Sequence, residues 1–139
     1  MEAYRRKVHY YETDKMGVVH HSNYIRYFEE ARLDWLEQAG CPYERLEAKG
    51  LQSPVLAVSC TYNKPAYYGE TLLVRVRFVP RGRVRCEFRY EVTEAETGEL
   101  RAEGGSEHCF LNADGRPVSL EKADPDLYRT LTGIAGPDL

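Results

Sequence analysis

The chain has 139 residues, of which 42% are hydrophobic, enough for one domain with a modest core. Its 19 basic and 22 acidic residues leave a net charge of −3, which argues against the broad positive surface of a nucleic-acid binder. No apolar run approaches the length needed to span a bilayer, and residues 1–9 lack the apolar core of a signal peptide, so a soluble cytoplasmic protein is expected.

Residues 4–11 (YRRKVHYY) read as a first strand with a mixed face. Residues 12–21 read as a loop turning at Gly17. A helix follows, capped by Ser22 or Asn23. Tyr24, Phe28, Ala31, Trp35 and Ala39 mark its apolar face, widened by Leu36, while Arg26, Glu29, Glu30, Arg32 and Glu37 fall mostly on the solvated side. Gly40 and Pro42 stop it after about eighteen residues, a rod of roughly 27 Å that needs a large surface to lie on.

Residues 41–54 read as a loop, and residues 55–64 as a strand ended by Pro65. Alternation over 72–79 and 84–92 gives two half-buried strands joined by a hairpin at Pro80-Arg81-Gly82-Arg83. A turn at 95–98 leads to a last strand over 100–111, expected to bend near Gly104-Gly105, and 112–115 closes it. The tail shows a short helix at 124–131 and fraying near Gly136-Pro137. Five strands and one long helix predict an α+β domain in which an antiparallel sheet wraps the helix. Cys41, Cys60, Cys86 and Cys109 contain no CxxC pair, so no zinc knuckle is expected. Cys60, Cys86 and Cys109, which sit in strand-like runs, read as buried free thiols.

Asp14, just ahead of the helix, is the first candidate for chemistry. A carboxylate there could attack an activated carbonyl or deprotonate water, although aspartate is also a common turn residue. A helix N-terminus nearby could hold an oxyanion. His20 and His21 are adjacent and are expected to point apart. With His9 and His108 they form no metal-ligand spacing, and Ser22 reads as a cap rather than a nucleophile. Glu29 is a second carboxylate, bordering the sheet-facing side of the helix. Arginine makes up fourteen of the 19 basic residues, and Arg81 and Arg83 at a hairpin tip could grip phosphate or simply confer solubility.

The ordered pattern Tyr11-Glu12-Thr13-Asp14, Gly17-Val18-Val19, His21, Asn23-Tyr24 and Phe28-Glu29-Glu30-Ala31-Arg32 resembles the hotdog-fold acyl-CoA thioesterases, in the 4-hydroxybenzoyl-CoA thioesterase and YbgC-like branch. The likeness covers residues 4–112, leaving 113–139 as an extension of a single domain spanning 1–139. It implies a curved antiparallel sheet wrapped around one long central helix, with two subunits joining their sheets, active sites at that dimer interface, and dimers pairing into tetramers. It implies Asp14 as nucleophile or general base, the His21 amide polarising the thioester carbonyl, and a part for the His21 ring. It further implies substrate contacts at Gly17, Val19, Tyr24 and Glu29, and coenzyme phosphates near Arg81 and Arg83. No cofactor or metal is implied beyond the coenzyme A of the substrate. The expected reaction is hydrolysis of a small or medium acyl-CoA to free acid and CoA. The alternatives are an acyl-carrier-protein thioesterase or hotdog dehydratase, and a non-catalytic acyl-ligand binder or assembly protein.

Overall fold

The computed structural model describes residues 1–134, and its longest helix, α1 (Ser22–Gln38), follows the predicted apolar period. Tyr24, Tyr27, Phe28, Ala31, Trp35 and Leu36 are buried along it. Gly40 ends the helix with φ +78°, a left-handed conformation that lets the Cys41 N–H return to the Leu36 carbonyl at 2.9 Å. The helix start departs from expectation. His21 is the N-cap and makes no side-chain capping bond, so neither Ser22 nor Asn23 serves as one. Ser22 is the first helical residue, and Asn23 instead donates from Nδ2 to the Glu12 carbonyl at 2.8 Å. That long-range bond satisfies a buried pair of polar groups, which a solvated local cap would not do.

The strands are β1 (Tyr4–Lys7), β2 (Val55–Tyr62), β3 (Thr71–Arg81), β4 (Arg85–Glu94), β5 (Leu100–Leu111) and β6 (Pro117–Val118). All pairings are antiparallel, in the order β1-β3-β4-β5-β2, with β6 folded back on β5. β1 is half the expected length because Tyr10–Glu12 winds into a 3-10 turn. β6 adds a sixth strand that its two residues were too short to announce. Residues 41–54, expected as loop, contain α2 (Tyr43–Ala48), a single short turn set by the burial of Leu46. The tail forms α3 (Leu120–Ala123) and α4 (Pro125–Gly133), whose Leu120, Leu127 and Leu131 join the core. The fraying expected at Gly136-Pro137 lies outside the described residues.

The alternation read for β3 and β4 holds. Leu72, Val74, Val76 and Phe78 are buried, as are Cys86, Phe88, Tyr90 and Val92. Cys41, Cys86 and Cys109 are buried free thiols, whereas Cys60 is only half-buried because β2 is an edge strand. α1 touches β1, β3 and β2, and thus both edges of the five-strand path. Strands lie about 4.8 Å apart, so one helix reaches both edges only if the sheet curls around it.

Gly104 and Gly105 place no bulge in β5, since the register runs unbroken through them against both neighbours. The register shifts lie elsewhere, between Val55 and Ala57 and between Val92 and Thr93. Gly104 instead makes room for the helix. A Cβ there would meet the Ser59 carbonyl oxygen at 2.1 Å and Phe28 Cε2 at 3.0 Å. The Phe28 ring stacks on Tyr90, the cross-strand partner of Gly104, with centroids 4.4 Å apart and planes 5° from parallel. Gly104→Ala is therefore expected to destabilise the fold by about 1–3 kcal/mol through overpacking, measured by urea denaturation; an unchanged midpoint would contradict this seating.

Candidate active site

The segment ahead of α1 is a small hairpin rather than an open loop. Thr13 and Val19 form a bridge, the Asp14 N–H donates to the Val18 carbonyl at 2.8 Å, and the His20 N–H donates to Glu12 O at 2.8 Å. Gly17 turns the tip with φ +79°, and its N–H closes on the Asp14 carbonyl at 2.9 Å. Val19 is buried, and its N–H donates to Ala66 O at 2.8 Å. Gly17 and Val19 therefore shape the hairpin and fix its position on the sheet.

Glu12 anchors the hairpin, a role the spacing of the sequence did not signal. Its carboxylate, only 4% exposed, takes two bonds from the Arg6 guanidinium at 3.1 and 2.7 Å and one from the His9 N–H at 2.8 Å. Its carbonyl receives Asn23 of α1, so the acid-bearing hairpin is tied directly to the first turn of the helix. Asp14 is half-buried. Its Oδ1 accepts the Met16 N–H at 2.8 Å, and none of the described hydrogen bonds uses Oδ2. The turn reading of this aspartate holds: one oxygen organises the turn, and the other is left over.

At the helix start, the Ser22 N–H donates to His20 Nδ1, the Asn23 N–H to His20 O and the Tyr24 N–H to His21 O. Among the described residues, the N–H of His21 has no acceptor. The rings of His20 and His21 do not point apart as expected; they stack at 4.2 Å and 29°. The helical φ and ψ of His21, where an extended strand would have opposed the two side chains, bring them together. Tyr62 of β2 packs its ring edge-on to His21 and donates its hydroxyl to the His21 carbonyl at 3.3 Å. Tyr24 is buried against Tyr62 and Tyr27, and burial pushes its phenol up to about 12.

Glu29 lies eight residues beyond His21, roughly 12 Å along the helix. It is exposed and lines two adjoining cavities. The larger, about 280 Å³, lies between α1, α2 and α4, and is walled by Leu36, Tyr43, Leu46, Phe110, Leu127 and Leu131. The smaller, about 110 Å³, runs beside β2 at Val55 and Val58. Arg32 belongs to both, whereas neither Asp14 nor His21 lines either one. The apolar pocket and the Asp14 hairpin are thus separate features of the single chain. Arg81 extends β3 and is tied to Glu87 through Nε and Nη2, at 3.1 and 3.0 Å, whereas Arg83 is exposed past Gly82. Among the described residues, no three His, Cys, Asp or Glu side chains are grouped to hold a metal, and no helix is long and apolar enough to cross a membrane.

Residues 8–131 match the model of the thioesterase-like superfamily. The chain belongs to that family. A Thermus thermophilus structure superposes with a TM-score of 0.86 at 42% identity, covering 97% of this chain and all of that one. The DHNA-CoA thioesterase of Staphylococcus aureus superposes with a TM-score of 0.86 at 33% identity, covering 95% of this chain and 89% of that one. A protein of Aquifex aeolicus is 39% identical over 119 residues, 86% of this chain and 91% of that one. The fold is therefore the hotdog fold of the thioesterase-like superfamily, a curved antiparallel sheet around α1.

One buried group of this thioesterase fold entered the sequence reading only as a metal ligand that its spacing did not support. His108, fully buried on β5, shares a hydrogen bond between its Nε2 and the Ser106 hydroxyl, 2.7 Å apart. Burial, and then the charge of Arg32, hold its pKa down to about 4, against a smaller opposing effect of the Ser53 and Pro54 backbones. An unfolded histidine titrates near 6.5, so between about 6.5 and 4 the unfolded chain takes up a proton that the folded chain refuses. Stability is expected to fall as the pH drops through that window. His108→Gln should flatten this part of the curve in urea denaturation at pH 7 and pH 5.

Proposed function

We propose that Asp14 and the backbone N–H of His21 form the hydrolytic centre for an acyl-CoA thioester. The chain is an acyl-CoA thioester hydrolase. The observation that most supports this centre is the Asn23–Glu12 bond, which ties the Asp14 hairpin to the first turn of α1, beside the unengaged His21 N–H. In this reading the thioester carbonyl accepts from that N–H and from the positive end of the helix, which together hold the charge that develops on oxygen. The Asp14 carboxylate supplies the attacking electron pair, either itself or through a water it deprotonates. The C–S bond breaks and the thiolate takes a proton; where Asp14 has attacked directly, water then hydrolyses the acyl–Asp14 anhydride, and by either route water supplies the new oxygen of the free acid. The stacked His20–His21 pair offers imidazoles for that proton movement.

The exposure of β2 supports a homodimer. Seven of its eight residues are exposed, among them Val55, Leu56, Val58 and Tyr62. The other edge, β1, is four residues long and carries Arg5, Arg6 and Lys7, the usual protection of an open edge; β2 has no charge along its length. Pairing of two β2 edges would cover the apolar strand and close the grooves beside it. Further pairing of such dimers into a tetramer is part of the same reading. Val19 and Tyr24 contribute by holding the hairpin and helix start, Gly17 by turning the tip, and Glu29 by bordering the acyl cavities. Arg83, and Arg81 once shared with Glu87, reach for the coenzyme phosphates. The four free thiols suit a reducing cytoplasm, and the charge of −3 argues against broad nucleic-acid binding; we read 1–139 as a single domain.

Asp14→Asn is expected to preserve the oligomer and lower kcat at least a hundredfold on a panel of aliphatic and aromatic acyl-CoAs, followed by thiol release. Turnover within threefold of the parent would remove Asp14 from the reaction. Val58→Glu, which puts a charge on the exposed edge, should shift the sedimenting species to monomer; an unchanged sedimentation coefficient would show that β2 is not the interface.

A further inference from the structure

Arg32 lines both cavities and is half-buried, yet among the described residues it has no carboxylate partner. Its described hydrogen bond runs from Nη1 to the Tyr90 hydroxyl, at 3.2 Å. A guanidinium only donates, so Tyr90 accepts from it. The Tyr90 hydroxyl also shares a hydrogen bond with Ser106 Oγ, 2.6 Å away, and Ser106 Oγ shares another with Nε2 of the neutral, fully buried His108 at 2.7 Å. This chain holds the guanidinium in place but contains no anion to balance it. Four of the five guanidinium N–H donors remain for a ligand, at a place where leaving a partly desolvated cation unpaired is costly.

The cavity beyond Arg32 has a different character. At about 280 Å³ it is nearly twice the ~150 Å³ apolar cavity known to take benzene, and near the lower end of small-ligand pockets. Leu127 and Leu131 of α4 form one wall, so the C-terminal extension sets its depth. Glu29 adds a negative charge to the same rim, which disfavours a second carboxylate there.

We propose that Arg32 determines acyl specificity by donating to a neutral oxygen, a hydroxyl or ketone, on an acyl group whose apolar body fills the pocket between α1, α2 and α4. This rests on the acyl-CoA reading above and adds the class of acyl group. Wild-type enzyme assayed on size-matched pairs, hydroxyoctanoyl- against octanoyl-CoA and hydroxybenzoyl- against benzoyl-CoA, shows kcat/KM at least tenfold higher for the oxygenated member of one pair. In Arg32→Met that ratio falls below three, and in Arg32→Lys, which keeps the charge but loses the fork, it takes an intermediate value. Leu131→Trp, which fills the pocket from α4, lowers kcat/KM for octanoyl-CoA at least tenfold more than for acetyl-CoA. Binding of the free acids to each variant by titration calorimetry, after circular dichroism has confirmed folding, gives a readout independent of turnover.

A ratio that Arg32→Met leaves unchanged overturns the assignment, as does a preference for a carboxylate-bearing acyl group over the hydroxylated one. Loss of thioester hydrolysis in the wild type would instead overturn the proposed activity. In that case the acid-binding measurement still decides Arg32: discrimination of hydroxy acid from plain acid that is abolished by the Arg32→Met substitution supports it, and equal binding overturns it.

Discussion

The structure depends on one close approach. Phe28, in the middle of α1, lies over Gly104 of β5 and stacks on Tyr90 of β4, and any side chain at 104 would collide with it and with β2. That contact brings the helix down onto the centre of the sheet, so that both sheet edges can curl to reach it. It also settles what each side of α1 does. Its Tyr24–Tyr27–Ala31–Trp35 face is consumed by the core, and the side bearing Ile25, Glu29 and Leu33 is left toward the open β2 edge and its grooves.

From that seating, two arrangements diverge along the helix. Its N-terminal turn is engaged by polar ties to the preceding hairpin: Arg6 to Glu12, Glu12 to Asn23, and His20 to Ser22. The middle and C-terminal half instead border an apolar cavity closed by α2 and α4. A carbonyl-polarising group and a carboxylate belong at the first, and a fatty or aromatic body at the second. The dimer proposed on β2 would cover the side of α1 that the single chain leaves open.

The polar chain through Tyr90, Ser106 and His108 shows how a β-strand can carry a charge into an apolar layer without an ion pair. Each hydroxyl is bonded on both sides, and the chain terminates on an imidazole that burial keeps neutral.

Much of this was legible in the residues themselves. The long pattern from Tyr11 to Arg32 carried the resemblance to the family and singled out Asp14 as candidate acid, period-two alternation over Leu72–Phe78 and Cys86–Val92 determined two strands and their buried faces, and the period of Tyr24–Trp35 determined the helix. These are local patterns in which one face of an element meets apolar surroundings. What only the tertiary structure decided involves partners far apart in sequence. Asn23 abandoned a local cap because Glu12 offered a buried carbonyl. Gly104 proved to be a seat rather than a bulge because Phe28 arrives from a distant part of the chain. His20 and His21 stacked because the backbone had already turned helical at residue 21. Arg32, read as part of a solvated face, became a cavity cation because β4 and β5 lie beneath it. Sequence spacing carries the direction of a side chain along its own element, but which group it meets there is set by packing between elements.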